Sequence, residues 1–563
     1  MTSELFCRFG LTAAVLAAVG CLAPGQTASR PATVASTPGA AHIEAEAMKR
    51  TGGNSLARPG WSGAILYENK DALRTHFDFT AAGRWRIDIR GSSSDKRPAG
   101  VAVFIDGQAR AAGWFASKTA QVISLVVDVD SAGKHELRLS QTTDIGENDA
   151  WIDWIEVLWS APATPAPVPP AIGAVSSGKW RNLFALRGYS EADVSHKIEE
   201  AWQSLFRGDP DREAVYFEKG GNADGPLAYV MDIGNGDVRS EGMSYGMMAA
   251  VQLDHKHEFD ALWNWAHTYM AHPDPKDPVH GYFSWQMRPS GKIMDPMPAP
   301  DGEEYFVTSL YFAHARWGSG KGIYDYRAQA DQLLRDMGSR ADIGGVTTVF
   351  NPKWHAPRFT PNTQDFASNG DHTDPSYHLP AFYEVWARVG PPSESTFWHE
   401  AAKDSRDFLA RVANPSTGLV PDYADFDGRP KPRRNDAGGG DFRYDAWRAA
   451  MNWSVDYAWW AADARECERS DRLQAFFEQQ GLWTYANRYH LGGRPIEHER
   501  SLGLAATNAV ASLAATQARS WRFVDELWSA RPPHGTWRYY DGMLYLMGLL
   551  HVSGQFRAYI ASP

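Results

Sequence analysis

The sequence predicts a multidomain protein in which a small antiparallel β-sandwich precedes an all-α barrel. In residues 41–159, short stretches alternate apolar with polar residues and are separated by Gly, Asp and Ser, which is typical of strands and turns. In residues 179–563, apolar residues recur three and four positions apart, as on the buried face of a helix. Residues 160–178, rich in Pro and Ala, form a stiff linker between the two parts.

The composition alone limits the classes of partner that the protein can have. The chain has 563 residues, too many for one ordinary domain, and a formal net charge of −11. That charge argues against nucleic acid or an anionic membrane surface as a partner. Of the 23 Trp, 22 Tyr and 25 Phe residues, most are expected in the core, and the others suit stacking against sugar rings. We expect a monomer.

The N-terminus has the pattern of an export signal. Residues 1–21 combine an Arg, a short apolar run and small residues, and residues 22–40 have the composition of a disordered tether. Two cleavage sites compete: one before Cys21, which would make it the acylated residue of a lipoprotein, and one near residues 25–28. The protein is therefore expected to be secreted, periplasmic or lipid-anchored. Cys467 is the one cysteine left in the folded part, so no internal disulfide is expected.

The strand and helix patterns indicate the architecture of each part. Six alternating stretches suit a sandwich; they are THFDF, WRIDIRG, VAVFIDG, VISLVVDVD, HELRLSQ and AWIDWIEVLW. Twelve helix-type stretches follow in residues 179–563, with Gly, Pro or Asp between them and without a visible sequence repeat. Twelve helices in one domain suit an α/α barrel with a central cleft, and a helical solenoid is the alternative.

Glu241 is the first candidate for chemistry. It lies at the start of a helix in RSEGMSYGMM and shares a helix face with Tyr245 and Met248, with no basic residue on the next turn. An acid in the first turn is stabilised by the helix dipole, which is a purely structural explanation. The functional explanation is an acid whose pKa rises in apolar surroundings until it can donate a proton, although Arg239 would oppose that rise.

A second group of polar residues lies on another apolar helix. Asp445, Arg448, Asn452 and Asp456 are spaced to form one stripe among Trp, Met and Val residues. Such a stripe is a solvated face or, in apolar surroundings like these, a buried or cleft-facing group. A third acid, Asp301, lies on a loop that enters a helix, where it either caps the helix or acts in a site. Two acids on different helices suit glycoside hydrolysis.

Six blocks, taken in order, resemble glycoside hydrolase family eight. They are RSEGMSYGMMAAVQL, MPAPDGEEYFVTSLYFAHARWG, TDPSYHLPAFYEVWARV, YDAWRAAMNWSVDYAWWAAD, LAATNAVASLAA and RYYDGMLYLMGLLHVSG, and the likeness runs from about Trp180 to Arg557. Within the family, they are most similar to the reducing-end xylose-releasing exo-oligoxylanases. The resemblance implies an (α/α)6 barrel, inversion of the anomeric carbon and no catalytic cofactor.

The resemblance also implies roles for single residues. Glu241 matches the general acid and Asp445 the general base, while Tyr377 matches the tyrosine that helps hold the attacking water. Asp301 matches the acid that binds the sugar at the cleavage point. Tyr245, Trp285 and Arg448 are further candidates for substrate binding. Inversion leaves room for a water, so the two catalytic carboxyl groups are expected about 6.5–9.5 Å apart.

The N-terminal part resembles carbohydrate-binding modules of families six and thirty-five. HIEAEAM and ENDAWIDWIEV carry this likeness. It implies a structural calcium, for which Glu44, Glu46 and Asp153 are candidate ligands because carboxylate oxygens suit a hard cation. The alternative is that these acids lie at exposed strand ends. Aromatic candidates for stacking on sugar are Trp61, Tyr67, Trp114 and Trp151.

The expected activity is release of xylose from the reducing ends of β-1,4-xylan or xylo-oligosaccharides. An endo-acting xylanase or β-glucanase of the same family is the alternative, and a non-catalytic polysaccharide-binding protein is a more remote one. The exo-acting relatives close one end of the cleft with a Leu-His-Pro kink. Here Glu499, Arg500 and Ser501 stand in its place, which removes the fixed φ of the proline.

Overall fold

The computed structural model describes residues 40–58, 61–68, 71–95, 97–142, 148–362, 372–432 and 436–560. The export signal, Cys21 and nearly all of the predicted tether lie outside these residues, so those expectations stay predictions. Within the described ranges, no helix has both the length and the apolar character needed to cross a membrane.

Residues 41–161, called the β-domain below, form two antiparallel sheets around one core. The strands are β1 (Ala41–Glu44), β2 (Lys49–Thr51), β3 (Asn54–Arg58), β4 (Trp61–Leu66), β5 (Ala72–Phe79), β6 (Gly83–Ser93), β7 (Ala99–Ile105), β8 (Gln108–Phe115), β9 (Gln121–Val129), β10 (Gly133–Gln141) and β11 (Ala150–Ala161). One sheet has the order β3-β4-β11-β6-β9, with β1 also paired to β11, and the other has the order β2-β5-β10-β7-β8. Alternate residues of both sheets, such as Ile155 and Leu139, are buried in the shared core, as the period-two pattern predicts.

The rest of the chain is mainly helical and is called the helical domain. Its α-helices are α1 (Ala174–Ser177), α2 (Leu183–Arg187), α3 (Glu191–Arg207), α4 (Ser240–Leu253), α5 (Lys256–Trp265), α6 (Pro300–Trp317), α7 (Tyr326–Ser339), α8 (Pro380–Val389), α9 (Ser395–Val412), α10 (Trp447–Trp460), α11 (Arg465–Gln480), α12 (Leu502–Val510), α13 (Ser520–Ser529) and α14 (Arg538–Val552). Short antiparallel strands complete it: β12 (Tyr216–Asn222), β13 (Gly225–Asp232), β14 (Asp237–Arg239), β15 (Gln286–Met287), β16 (Ile293–Asp295), β17 (Phe350–Asn351) and β18 (Ala356–Pro357).

Six of these helices form a closed inner ring. Helices α4, α6, α8, α10, α12 and α14 each pack against the next, and α14 packs back against α4. Each inner helix also packs against one outer helix, namely α5, α7, α9, α11, α13 or α3. A solenoid would leave its first and last helices apart, so this closure favours the α/α barrel. Inner and outer helices alternate along the chain, which brings the N-terminal ends of the inner helices to one end of the ring.

The Pro/Ala segment between the domains is hydrogen-bonded to the helical domain. The indole N–H of Trp521 donates to the carbonyl oxygen of Pro165 at 2.8 Å, and the guanidinium of Arg181 donates to that of Pro167 at 2.7 Å. The segment is therefore held against the helical domain along part of its length. An extended Pro-rich chain still offers its carbonyl oxygens as acceptors, and side chains of the helical domain bind them.

A buried arginine also joins the two domains. Arg187, at the end of α2, is fully buried and pairs with Asp525 of α13 and Asp128 of β9, each at 2.7 Å. It also donates to the hydroxyl of Thr164 in the linker at 3.0 Å. The indole N–H of Trp114 adds a bond to the carbonyl oxygen of Ser529 at 3.0 Å. The β-domain is thus docked along α13.

Candidate active site

Glu241 lies in the first turn of α4, as predicted, but it is not without partners. Its Oε2 accepts from Arg448 Nη1 at 2.9 Å, and its Oε1 accepts from the hydroxyl of Tyr539 at 2.8 Å. Both partners come from other helices, α10 and α14, so inspection of the next helical turn could not find them. Arg239 occupies the N-cap position of α4.

Arg448 is the centre of the site. Its side chain is almost fully buried, and Nη1 also donates to the hydroxyl of Tyr245 at 2.8 Å and to Asp301 Oδ2 at 2.6 Å. Nη2 contacts Asp445 Oδ1 at 2.9 Å. One guanidinium therefore contacts all three acids that the sequence singled out, because its planar fork presents several N–H groups in fixed directions.

Asp445 differs from its predicted place in a helical stripe. It lies in a short 3-10 turn, Tyr444–Ala446, that comes just before α10. Tyr444 has a φ of 33°, a strained conformation for a residue with a side chain, and the hydroxyl of Tyr540 donates to its carbonyl oxygen at 3.1 Å. The Asp445 side chain keeps 30% of its exposure, so water can reach it.

The remainder of that stripe is buried. Asn452 donates to the carbonyl oxygen of Ser376 at 2.7 Å, while Asp456 pairs with Arg406 of α9 at 2.6 Å. The second pair faces an outer helix and not the cleft. A spacing of eleven residues carries Asp456 three turns along α10, away from the end where the acids meet.

Tyr377 lies in a second 3-10 turn, Pro375–Tyr377, that precedes α8. The hydroxyl of Ser376 accepts from Arg448 Nη2 at 2.9 Å, which ties this turn to the same guanidinium. The ring of Tyr377 is buried, with its centre 5.9 Å from the Arg448 guanidinium carbon. The structure thus brings Tyr377 next to the group that contacts Asp445.

Asp301 is buried in the first turn of α6, where Pro300 is the first helical residue. Its Oδ1 accepts the backbone N–H of Gly302 at 2.9 Å, and Oδ2 accepts from Arg448. Glu303 and Glu304 follow and are fully buried, and burial raises the pKa of Glu303 to about 8 and that of Glu304 well above its usual value. Asp301 does not cap the helix, because Ala299 occupies the N-cap position; it lies inside the first turn and contacts the central arginine.

Burial is the main influence on the charge of Glu241. It raises the pKa of Glu241 to about 7, against the opposing effect of Arg448, while the nearby Asp301 and Asp445 raise it further. Arg239 lowers it, as expected from the sequence. Burial also raises the pKa of Asp301, again opposed by Arg448. Burial thus favours the protonated form of both Glu241 and Asp301.

The contacts with Arg448 also bound the separation of the two proposed catalytic acids. Glu241 and Asp445 lie 2.9 Å from different nitrogens of the same guanidinium. Since those nitrogens are about 2.3 Å apart in the rigid fork, the nearest carboxylate oxygens lie within about 8 Å of each other. This bound is compatible with the spacing of an inverting pair.

The remaining predicted site residues lie around the acids. Tyr245 is buried in α4, and burial raises the pKa of its hydroxyl well above the usual value. Trp285 is half-buried beside the start of α4; its carbonyl oxygen accepts the backbone N–H of Ser240 at 3.0 Å, and the Arg239 guanidinium lies 5.7 Å from its ring centre. Sequence reasoning missed Tyr539 and Ser376, although both lie inside blocks that carried the resemblance.

The β-domain offers little support for calcium at the predicted acids. Glu46 accepts from the hydroxyl of Ser62 at 2.8 Å, and Asp153 forms an ion pair with Arg90. Glu44 lies 3.2 Å from the ring of His42. Across the described residues, no group of three or more His, Cys, Asp or Glu side chains could hold a metal ion. Asp153 already has a cationic partner, which removes the reason for a second cation.

Two of the four aromatic candidates in the β-domain are engaged elsewhere. Trp61 is buried, with the Arg90 guanidinium 4.9 Å from its ring centre, and Trp114 contributes to the contact between the domains. Trp151 is half-buried. Tyr67 is exposed, and the side chain of Asn54 donates to its hydroxyl at 3.1 Å.

Comparison with known proteins shows the family of the chain. The model of glycosyl hydrolases family 8 matches residues 224–554. The reducing-end xylose-releasing exo-oligoxylanase Rex8A of Paenibacillus barcinonensis is 41% identical over 392 residues, which cover 69% of this chain and 98% of that protein. A crystal structure of a GH8 xylobiose complex from Teredinibacter turnerae has 53% sequence identity and a TM-score of 0.67, covering 69% of this chain and 100% of that one. A catalytic mutant xylohexaose complex of a GH8 xylanase from the same organism has 52% identity, a TM-score of 0.67 and the same coverage. The chain belongs to glycosyl hydrolase family 8.

Proposed function

We propose that this glycoside hydrolase cleaves β-1,4-xylan or xylo-oligosaccharides with inversion, using Glu241 as general acid and Asp445 as general base. The observation that carries the proposal is that both carboxyl groups contact the guanidinium of Arg448. The relatives named for xylose release and the solved complexes with xylobiose and xylohexaose support the choice of xylan.

The proposed step moves two protons and exchanges one bond. Asp445 takes a proton from a water as the water oxygen bonds to the anomeric carbon. Glu241 gives its proton to the glycosidic oxygen as the bond between that oxygen and the anomeric carbon breaks. A pKa near 7 suits Glu241 to this role because it still holds a proton near neutral pH. Tyr377 and Arg448 position the water, and Asp301 binds the sugar at the cleavage point. No cofactor takes part.

Replacing each acid by its amide tests these roles. Asp445→Asn is expected to lower kcat by several orders of magnitude while the unfolding temperature stays close to that of the wild type. Glu241→Gln should lose most activity on xylo-oligosaccharides and much less on an aryl xyloside with a good leaving group, which needs less protonation. Near-normal turnover by Asp445→Asn, or equal losses of Glu241→Gln on both substrates, would contradict the assignment.

We further propose that cleavage releases xylose from reducing ends. Similarity over 98% of the length of an exo-oligoxylanase supports this mode. Internal cleavage is a second candidate, favoured by the segment in place of the Leu-His-Pro kink. There, Ser501 caps α12 and Arg500 turns away to pair with Glu526 at 2.8 Å, while Glu499 is exposed.

Early products from xylohexaose decide between these modes. Xylose plus xylopentaose supports release from an end, and reduction of the substrate's terminal sugar beforehand should abolish it. A spread of middle-sized products would establish internal cleavage. Parallel incubation with mixed-linkage glucan and cellulose tests the choice of sugar, because turnover confined to those polymers would overturn the xylan assignment.

We infer that the β-domain binds polysaccharide and that the protein is exported as a monomer. The likeness to carbohydrate-binding modules and the exposed ring of Tyr67 support the first inference. Tyr67→Ala in the full chain should reduce retention on insoluble xylan without changing turnover of xylotriose; unchanged retention would argue against this ring. Labelling with a radioactive fatty acid in a bacterial host tests whether Cys21 carries a lipid.

A further inference from the structure

Asp374 is a buried acid for which the proposed mechanism has no use. Its side chain is fully buried, and Oδ1 accepts the backbone N–H of Ser376 at 2.7 Å. In addition, the backbone N–H of Tyr377 donates to the Asp374 carbonyl oxygen at 3.0 Å. Asp374 thereby caps the turn that carries Ser376 and Tyr377.

The other oxygen of Asp374 is unusual. Oδ2 is buried and has no hydrogen-bond partner in the part of the chain that the structure describes. Buried polar atoms of native proteins nearly always have a partner, so an exception calls for an explanation. A capping role needs one oxygen only, which Oδ1 already supplies.

The capped turn is connected directly to the reacting groups. The hydroxyl of Ser376 accepts from Arg448 Nη2, and the same nitrogen contacts Asp445 Oδ1, both at 2.9 Å. Asn452 fixes the Ser376 carbonyl oxygen from α10 at 2.7 Å. A shift of this turn would therefore move the guanidinium and Tyr377 together.

Negative groups lie close to Asp374. Burial raises the pKa of Asp374 well above its usual value; Asp445 adds to this effect, and Arg448 opposes it. Asp422, a second buried acid, interacts with both Asp374 and Asp445 and accepts the backbone N–H of Ala446 at 3.2 Å. A second full negative charge beside Asp445 would be unfavourable, so a neutral carboxyl is the form that this environment stabilises.

We propose that Asp374 is a positioning residue for hydrolysis: as a neutral carboxyl it caps the Ser376–Tyr377 turn, and its free oxygen hydrogen-bonds on the side of the site where Asp445 holds the water. A protonated Oδ2 donates to that water. The proposal rests on the roles proposed above for Asp445 and Tyr377, and it adds a residue that neither binds sugar nor exchanges a proton with it.

Three substitutions separate the two parts of this role. Asp374→Asn keeps a capping oxygen and a neutral donor. Asp374→Ser keeps a capping oxygen but removes the second polar atom, and Asp374→Ala removes both. Asp325→Ala is the matched control, because Asp325 caps α7 in the same way, through the backbone N–H of Ala328, on the outer layer of the ring.

Turnover of xylohexaose and the pH–rate profile are the measurements. Asp374→Asn should keep kcat within about 5-fold of wild type, and its acid limb should not move, because a neutral group replaces a neutral group. Asp374→Ser and Asp374→Ala should lose about 10- to 100-fold in kcat with little change in KM, as expected for misplaced reacting groups. Asp325→Ala should lose stability but not kcat.

Two outcomes would overturn the proposal. One is a wild-type kcat in Asp374→Ser; the other is an acid limb of Asp374→Asn displaced to lower pH, which would mean that Asp374 is normally charged. Near-UV circular dichroism checks folding, and if Asp374→Ala does not fold, the Ser and Asn variants still decide. A wrong substrate would show itself separately, in the wild-type protein; the variants are then compared on whichever β-glycan the wild type cleaves.

Discussion

The acidic residues of the site contact one shared cation, the guanidinium of Arg448. Arg448 contacts Glu241, Asp301 and Asp445 from a buried position, so three acids compete for one positive charge. The two effects on Glu241 oppose each other: burial raises its pKa and Arg448 lowers it, and the result is a value of about 7. Loss of either effect would move the acid away from the pH range in which it can both hold and donate a proton.

Tyr539 also affects the pKa of Glu241, and this predicts how a substitution changes the pH dependence of activity. Its hydroxyl donates to Glu241 and so favours the charged carboxylate. Tyr539→Phe removes that donor and should raise the pKa of Glu241. The basic limb of the pH dependence of kcat/KM, which reports loss of the acid's proton, should therefore move to higher pH by a fraction of a unit. Initial rates on xylotriose between pH 5 and 9 measure the shift.

The neighbouring tyrosine supplies the control. Tyr540 lies at the same end of α14, but its hydroxyl donates to the backbone of Tyr444 instead of to Glu241. Tyr540→Phe should change kcat only through that turn, and the basic limb of its pH dependence should keep the wild-type position. A shift to lower pH in Tyr539→Phe would show that the hydroxyl stabilises the protonated acid instead.

Helices α4 and α6 contact each other beside the acids. A glycine follows Glu241 and another follows Asp301, and in both cases another side chain occupies the space of a Cβ atom. A Cβ on Gly302 would lie 2.5 Å from Ser240 Oγ and 2.6 Å from Ser240 Cβ, and one on Gly242 would lie 2.7 Å from the hydroxyl of Tyr539. Gly302 thus lets α6 approach the start of α4, and Gly242 lets Tyr539 of α14 approach the turn that carries Glu241.

Gly302→Ala should therefore lower activity strongly, although the substitution adds only one methyl group. The added methyl group must push α6 away from Ser240, at a cost of about 1–3 kcal/mol in the free energy of unfolding. Because the displaced helix carries Asp301, kcat should fall by about 10²-fold. Urea unfolding and turnover of xylohexaose measure the two effects.

Gly338 in α7 is the matched position for this substitution. A Cβ there would lie 3.3 Å from the ring of Trp398, a close but tolerable contact, and the helix is an outer one. Gly338→Ala should keep kcat and stay within about 1 kcal/mol of wild-type stability, because alanine also restricts the unfolded chain. Equal kcat for the two alanine variants would show that close approach of α4 and α6 is not needed.

At the scale of the whole molecule, a buried arginine connects the two domains. Arg187 is buried between Asp525 of the helical domain and Asp128 of the β-domain. Burial raises the pKa of Asp525 although Arg187 opposes that rise. A sugar site in the β-domain would therefore keep a constant orientation relative to the catalytic cleft, instead of moving on a tether.

Arg187→Met tests this contact. Removal of the cation leaves two carboxylates without their partner in a region shielded from water, which should cost about 3–5 kcal/mol in the free energy of unfolding. The double variant Arg187→Met/Asp525→Asn should recover part of the loss. Denaturant unfolding, followed by tryptophan fluorescence, provides the measurement.

An exposed ion pair at the same contact provides the comparison. Arg522 lies 3.3 Å from Asp130 of the β-domain, and that carboxylate is largely exposed. Arg522 also pairs with Glu478 at 2.7 Å, and Arg522→Met should cost no more than about 1 kcal/mol for each of these partly exposed pairs, because solvent screens the charges and the side chains lose entropy when they pair. A loss as small for Arg187→Met would mean that the buried triad contributes little to docking.

Local sequence patterns were enough to predict the class of each domain and to select three acids that meet in the candidate site. Period-two and helix-period patterns depend on which face of an element is buried, and that local property is written in consecutive residues. The acids were found because Glu241, Asp301 and Asp445 lie in short blocks whose residue types match a family pattern.

Which of these residues contact one another depends on the tertiary structure. Arg448 reaches Glu241 across 207 positions of sequence, and Tyr539 reaches it across 298. Such pairings depend on how the ring of helices closes, which no local pattern encodes. The partners of Arg187, Asp128 and Asp525, lie in different domains, so their meeting also depends on the tertiary structure. The composition of the Pro/Ala segment likewise cannot reveal that side chains of the helical domain bind its carbonyl oxygens.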